Sequence, residues 1–373
     1  MKFSCTRDNL ANALSLVSGI VSKNSNLPIL NNVLIKVDSQ KVEIVSTNLD
    51  LATTVTIRAK TDEPGSFTVP ARTLNDFIGL LSGDKVDLEL KNDELTVFCG
   101  KSSTKIKGSS AEEFPIIPIL SEGRGFLVEA RALKDGLAQV LTAVARNDIR
   151  PELSGVFFGF NLNSQPELIL AATDSYRLAE KKIPLPQGQG ELKIILPGRA
   201  AQEINHLLSA GGEEAEKDVR ILVSDNQLAI HFGNIQMTSR LVDGQYPDYA
   251  QIIPKHFKTT MRFSVNQIAK EIKAASLFTT TGVNAVSLTF QPKDSALVLS
   301  SASTQTGEHR SEVPVEIEGE ENTVLLSHRY FLDGLNNLNT ENAVLKIINS
   351  DSPCVLYPEG DQSFLYIIMP IRQ

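Results

Sequence analysis

The chain has 373 residues, 42% of them apolar and 21% charged, and a net charge of −8. That length exceeds what one hydrophobic core usually serves and points to roughly two or three domains of ~100 to 200 residues each. The acidic balance argues against a protein that grips nucleic acid over its whole surface, and the lack of Trp weakens any reading as a single-strand stacking platform.

The chain begins "MKFSCTRDNL", with no apolar run behind its basic residue, and nowhere shows ~18 consecutive apolar residues, so neither a signal peptide nor a membrane span is expected. From Arg7, "RDNLANALSLVSGIVSK" sets Leu10, Leu14 and Val17 at i, i+4 and i+7, the spacing of a helix with one buried face. "VEIVSTNLDLATTVTI" from Val42 reads as a strand and a polar turn. "FTVPARTLNDFIGLL" from Phe67 reads as a strand entering a second helix, with Pro70 placed where a missing amide costs little. "VDLELKNDELTVFCGKSSTKIKG" from Val86 alternates apolar residues around the polar turn "KND", a hairpin signature.

These four segments recur twice more in the same order, about 125 to 130 residues on each time. The first helix returns as "RALKDGLAQVLTAVARND" from Arg131 and "SVNQIAKEIKAASLF" from Ser264, with Leu133, Leu137, Val140 and then Ile268, Ile272, Ala275 in the same phase. The strand and turn return at Leu168 and Leu297, the second helix after Pro197 and after "TVLLS", and the hairpin run at Val219 and Ala343, with Gly233 matching Gly100. The expectation is an α+β chain of three repeated domains, each with two helices and antiparallel sheets, at 1–122, 123–253 and 254–373. The closing "YIIMPIRQ" is apolar where chain ends tend to be polar. Tyr366 to Ile368 are expected to continue the third copy's final strand, and residues 369–372 to run past it.

No phosphate loop, GxSxG elbow, HExxH or strand followed by GxGxxG is present, and "QGQGEL" at Gln187 sits in a polar linker without the helix start that cradles phosphate. The five histidines lack metal-ligand spacing, and Cys5, Cys99 and Cys354 are far apart, which favours reduced thiols in a cytoplasm. No cofactor and no metal are expected. The expected helices carry a small positive charge, so the remainder is more acidic than the whole. Such an arrangement presents helices to phosphate and keeps the exterior repulsive; a chance asymmetry of a few charges reads the same way.

Taken with the repeats, "LPIL" at Leu27, "TVPAR" at Thr68, "ATDSYRLA" at Ala172, "LVDGQYPDY" at Leu241 and the closing "YIIMPIR" resemble, over the whole chain, the bacterial DNA polymerase III beta subunit, the sliding-clamp family. The resemblance implies a noncatalytic processivity factor in the cytoplasm. It would be a head-to-tail homodimer, a ring around double-stranded DNA with helices lining the hole and sheets outside. Lys23, Arg72, Arg146, Arg150, Arg199 and Lys273 are then the candidate DNA-facing residues, making weak contacts blind to sequence. Ile106, Leu277 and Phe278 match the dimer seam, although plain core packing explains such residues equally well.

The resemblance also implies a pocket between the second and third domains. There the polymerase III alpha subunit, the clamp loader delta subunit, other polymerases and repair proteins would insert short apolar-anchored peptides. From the central copy it takes Leu153, Thr173, Ser175, Tyr176, Arg177 and Leu178, with Pro247 and Ile252. From the closing segment it takes Ile367, Met369, Pro370, Ile371 and Arg372. Tyr176, Gln251 and Ile371 depart from residues common there, which bears on peptide preference. Asn24, Pro151 and Glu152 stand where some members have DNA-contacting residues. An enzyme with its site between repeats, or a scaffold that binds proteins alone, are the competing classes; missing catalytic groups weigh against the first and mildly basic helices against the second.

Overall fold

The computed structural model describes the chain apart from residues 22–26, 40, 119, 121, 148, 211–216, 281 and 373. Its helices are α1 (Arg7–Ser18), α2 (Ala71–Leu80), α3 (Ala130–Leu141), α4 (Gly198–Ala210), α5 (Val265–Ser276) and α6 (His328–Asn336). The nine positions that the periodicity assigned to buried faces of α1, α3 and α5, from Leu10 to Ala275, are all fully buried. At ~1.5 to 3 kcal/mol for burying a large aliphatic side chain, these faces dominate what holds each helix to its sheet. The Thr6 side chain caps α1 by accepting from the Asn9 amide at 3.3 Å, and Pro70 sits at the N-cap of α2.

Contacts divide the chain into two bodies: 1–134, 185–190 and 199–242 in the first, and 135–184, 191–198 and 243–373 in the second. This division does not follow the three sequence copies. The first and third copies are each kept whole, while the elements of the central copy are shared out, because strand pairing across the junction of two copies is as continuous as pairing within one.

In the first body a nine-stranded antiparallel sheet runs Gln187–Gly188, Arg124–Glu129, Asp218–Val223, Gln227–Phe232, Ile235–Arg240, Leu51–Ile57, Val42–Thr47, Asn32–Val37, Gly65–Pro70. Its copies meet where Ile235–Arg240 pairs with Leu51–Ile57, Ser239 opposite Leu51. A five-stranded sheet beside it ends on the edge strand Ser102–Lys107.

The second body repeats the plan. Its nine strands run Leu192–Pro197, Gly155–Phe160, Glu167–Thr173, Arg177–Pro184, Phe364–Ile368, Cys354–Pro358, Asn342–Ile347, Thr259–Ser264, Glu316–Gly319. Here the copies meet where Phe364–Ile368 pairs with Arg177–Pro184, Ile367 opposite Leu178. Its four-stranded sheet has Gly307–Pro314 at one edge and Asn322–Ser327 at the other.

Hairpin chemistry is as expected. Asn92 and Asp93 of "KND" both take positive φ, and Gly100 and Gly233 take φ of 59° and 57°, a left-handed turn that glycine enters without steric cost. The helix ends differ from the apolar pattern. α1 stops at Ser18, whose hydroxyl donates back to the Leu14 carbonyl at 2.6 Å. α3 stops at Leu141: the Thr142 hydroxyl turns to the Gln139 carbonyl, the Ala143 amide bonds Val140 in a tightened turn, and the Ala145 amide leaves for Leu153 at 3.1 Å. Arg146 and Arg150 therefore lie beyond α3, off the helix. α5 closes likewise, with Leu277 and Phe278 amides bonded three residues back.

Among the described residues no helix is long and apolar enough to cross a membrane. Cys5, Cys99 and Cys354 are free and buried, and burial pushes the Cys5 and Cys354 thiols up to about 12.

Candidate functional site

The turn between Glu167–Thr173 and Arg177–Pro184 is fixed by its own short polar side chains. The Thr173 hydroxyl donates to the Arg177 carbonyl at 2.6 Å and accepts from the Ser175 amide at 3.1 Å. Asp174 Oδ1 accepts from the Tyr176 and Arg177 amides at 3.0 Å each, an Asx turn that holds Ser175 at φ 76°. The turn aims Tyr176 outward, 62% exposed, and turns Arg177 inward, 5% exposed.

Arg177 is then secured from three sides. Its Nε meets Asp174 at 3.0 Å, its Nη1 bonds Asp333 of α6, and its guanidinium lies 4.6 Å from the centre of the Tyr330 ring. Burial works against its charge, but Tyr366, Asp333 and Asp174 more than offset this and raise its pKa above the ordinary value. Tyr366 is fully buried and donates its phenol to the Tyr330 carbonyl at 3.1 Å. Tyr176 stacks with Tyr330, ring centres 6.3 Å apart.

The closing segment is held by its backbone. The Met369 amide donates to the Tyr176 carbonyl at 2.9 Å and the Ile371 amide to Leu325 at 2.8 Å, on the edge strand Asn322–Ser327. Met369, Pro370 and Ile371 are partly exposed and line a cavity of about 960 Å³ with Leu153, Ser175 and Tyr176. Beside it, Leu178, Val355 and Ile367 form a buried apolar cluster against which Met369, Tyr249, Ile253 and Phe257 pack. Burial, and next to it the buried Glu180 carboxylate, raise the Tyr249 phenol above its usual value. A peptide laid here would find apolar side chains such as Leu153, Met369 and Ile371, beside a polar turn and a backbone-fixed segment.

Of the expected pocket residues, Leu153, Ser175, Tyr176, Arg177 and the run from Met369 to Arg372 line this cavity. Leu178 and Ile367 belong to the adjoining cluster, and Thr173 holds the turn. Pro247 and Ile252 line neither; Ile252 is 43% exposed on the short helix Tyr249–Ile252, and its neighbour Ile253 is the residue that packs on the cluster. Sequence reading missed Tyr330 and Asp333, whose i, i+3 spacing in "RYFLDGL" was the available signal. It also missed Ile149 and Val283, exposed apolar residues in the lining.

The expected DNA-facing residues scatter. Lys23, like Asn24, lies outside the described residues. Arg72 is exposed on α2 and meets Asp76 at 3.6 Å, while Lys273 is exposed in the last turn of α5. Arg199 donates to the Ile20 carbonyl at 3.1 Å. Arg146 and Arg150 line the cavity just described. Of the seam residues, Ile106 is buried on the edge strand Ser102–Lys107, beside a small cavity of about 280 Å³ with Phe77. Leu277 is 71% exposed, and Phe278 stacks on His309 of the edge strand Gly307–Pro314 at 5.8 Å.

Three family descriptions match consecutive stretches of the chain: the DNA polymerase III beta subunit N-terminal domain over residues 1–118, central domain over 127–248 and C-terminal domain over 250–372. A beta sliding clamp of Synechococcus elongatus is 30% identical over 378 residues, covering 100% of this chain and 99% of the relative. The chain belongs to the DNA polymerase III beta subunit family. A Staphylococcus aureus beta sliding clamp is 29% identical over 384 residues, covering 100% of this chain and 99% of its own. The crystal structure of the Bacillus subtilis sliding clamp superposes with a TM-score of 0.93 at 27% identity, covering 100% of this chain and 99% of that one. The protein is a DNA sliding clamp of replication, a noncatalytic subunit, and its family implies DNA, a polymerase and a second copy as partners.

Proposed function

We propose that two copies of the chain join head to tail into a closed ring around duplex DNA in the cytoplasm, with domains at 1–122, 123–253 and 254–373. In this reading the groove of the second body holds short peptides of the polymerase III alpha subunit, the clamp loader delta subunit, and other polymerases and repair proteins. The observation that carries the docking role is the closing segment. Its amides are fixed at both ends of a three-residue run, while Met369 and Ile371 line the cavity. A preformed groove of this kind spends little ordering entropy on a peptide and lets partners exchange.

Two open sheet edges support the ring. Ser102–Lys107 carries Ile106, and Gly307–Pro314 carries His309 stacked on Phe278 with exposed Leu277 nearby in sequence. Unpaired edges are sites at which another chain adds a strand. A ring closed by such seams holds DNA topologically, so Arg72, Arg199 and Lys273 need only weak phosphate contacts.

The test of the ring is to load the protein with a clamp loader onto nicked circular DNA and then linearise it. Release from the ends is expected, and retention would count against topological binding. For the groove, deletion of residues 369–373 should abolish binding of partner peptides and leave the dimer intact in native mass spectrometry.

A further inference from the structure

The charges lining the cavity of the second body are unevenly used. Five arginines and two aspartates line it: Arg146, Arg150, Arg177, Arg329 and Arg372 against Asp174 and Asp333. Both aspartates are engaged by Arg177, and Arg150 is engaged by Glu152 at 2.9 Å. Arg146, Arg329 and Arg372 are exposed and have no carboxylate partner among the described residues. Arg146 shares this lining with Tyr176 and Tyr330. The same lining also holds Ile149, 84% exposed, and Val283, 52% exposed.

Resting on the reading of this cavity as a docking groove, we propose that it is selective for an acidic peptide, whose apolar anchors are flanked by carboxylates that pair with Arg146, Arg329 and Arg372. Charge complementarity names the sign of the partner. The apolar Ile149, Val283, Met369 and Ile371 in the same lining name its kind: a phosphate backbone would leave these side chains in water, whereas a peptide buries them while its carboxylates meet the arginines. Arg146, expected from sequence to face DNA, is here a specificity residue for protein partners. The guanidiniums are exposed, so each pair contributes modestly and the selectivity falls as salt rises.

The test uses the full-length protein and two synthetic peptides that share a pair of leucine anchors, one flanked by Asp and Glu and the other by Ser and Gln. Fluorescence polarisation at low ionic strength should give the acidic peptide about ten-fold tighter binding, shrinking toward two-fold or less near 1 M salt. Arg146→Gln and Arg372→Gln should each weaken the acidic peptide about three-fold more than the neutral one, with melting temperatures unaltered. Equal affinity of the two peptides for the unmodified protein overturns the proposal while leaving the groove in place; failure of both to bind sinks the groove reading as well. If Arg146→Gln shortens retention on circular DNA and leaves the acidic peptide's affinity untouched, the arginine serves phosphate and the proposal is wrong.

Discussion

The turn at 47–51 in the first body and the turn at 173–177 in the second have the same hydrogen bonds. Thr47 donates to the Leu51 carbonyl and accepts from the Leu49 amide, both at 3.0 Å, as Thr173 does with Arg177 and Ser175. Asn48 Oδ1 accepts from the Asp50 and Leu51 amides, as Asp174 Oδ1 does from Tyr176 and Arg177. Leu49 stands at φ 79° and Ser175 at 76°. Even the closing bond is repeated, Arg240 to Asp50 at 2.8 Å and Met369 to Tyr176 at 2.9 Å. Only the side chains differ. Where the second body places Leu178, Ile367 and Met369, strand register puts Ala52, Thr238 and Arg240 in the first, and Arg240 meets Asp50 at 4.0 Å. Duplicated backbone thus supplies two platforms, and side-chain chemistry makes one of them apolar, the one proposed to dock a peptide.

The largest expected effect comes from removing the residue that most distinguishes the two platforms. Arg177→Ala strands Asp174 and Asp333 beside a buried tyrosine, and we expect a loss of about 2 to 4 kcal/mol in chemical denaturation, discounted because Asp333 is 42% exposed. Peptide binding should fall with it, since Tyr330 loses the guanidinium held against its ring. Leu51→Ala at the matching position should cost about 2 to 3 kcal/mol through the cavity it leaves, with peptide affinity unchanged. Equal loss of peptide binding in both variants would mean that general destabilisation, not the groove, is being read.

Next in size is Met369→Ala, which removes an anchor wall and should weaken an apolar-anchored peptide about ten- to thirty-fold in titration calorimetry. Arg240→Ala, its counterpart, should change nothing. A smaller effect is expected from carrying the apolar cluster across: Ala52→Leu, Thr238→Ile and Arg240→Met together should create a weak second site, raising the stoichiometry above one peptide per chain at high peptide concentration. Because Ala52 and Thr238 are 7% and 8% exposed, the larger side chains also overpack, costing about 1 to 3 kcal/mol of stability. A stoichiometry that stays at one would show that backbone platform and apolar cluster do not suffice.

The repeat made most of this legible in the sequence. Helix phase, the proline before α2, the "KND" turn and the paired glycines are local features, and the nine buried-face residues followed from spacing alone. The turn at "ATDSYRL" and the lining by "MPIR" were legible through the family resemblance. What escaped were features settled by long-range contact. The end of α3 depends on the Ala145 amide finding Leu153, so Arg146 left the helical stretch in which the pattern had placed it. Tyr330 and Asp333 became groove residues only because α6 meets the Arg177 turn. The pairing of Arg177–Pro184 with Phe364–Ile368 joins segments nearly two hundred residues apart, which no periodicity records.

The smallest expected effect concerns the strain the two turns share. A side chain at positive φ crowds its own carbonyl, at a cost of about 1 to 2 kcal/mol that glycine escapes. Glycine gives back about half of this by freeing the unfolded chain. Leu49→Gly and Ser175→Gly should therefore each raise stability by about 0.5 kcal/mol, since the φ values differ by only a few degrees. The two variants should part company in binding. Leu49 is 48% exposed and its loss touches no groove, whereas Ser175 lines the cavity, and a freer turn there loosens the carbonyl of Tyr176 that holds Met369. Ser175→Gly should then cost peptide affinity about two-fold while adding stability. A stabilised turn that also binds as before would place the rigidity of the groove in Arg177 and α6 rather than in the turn itself.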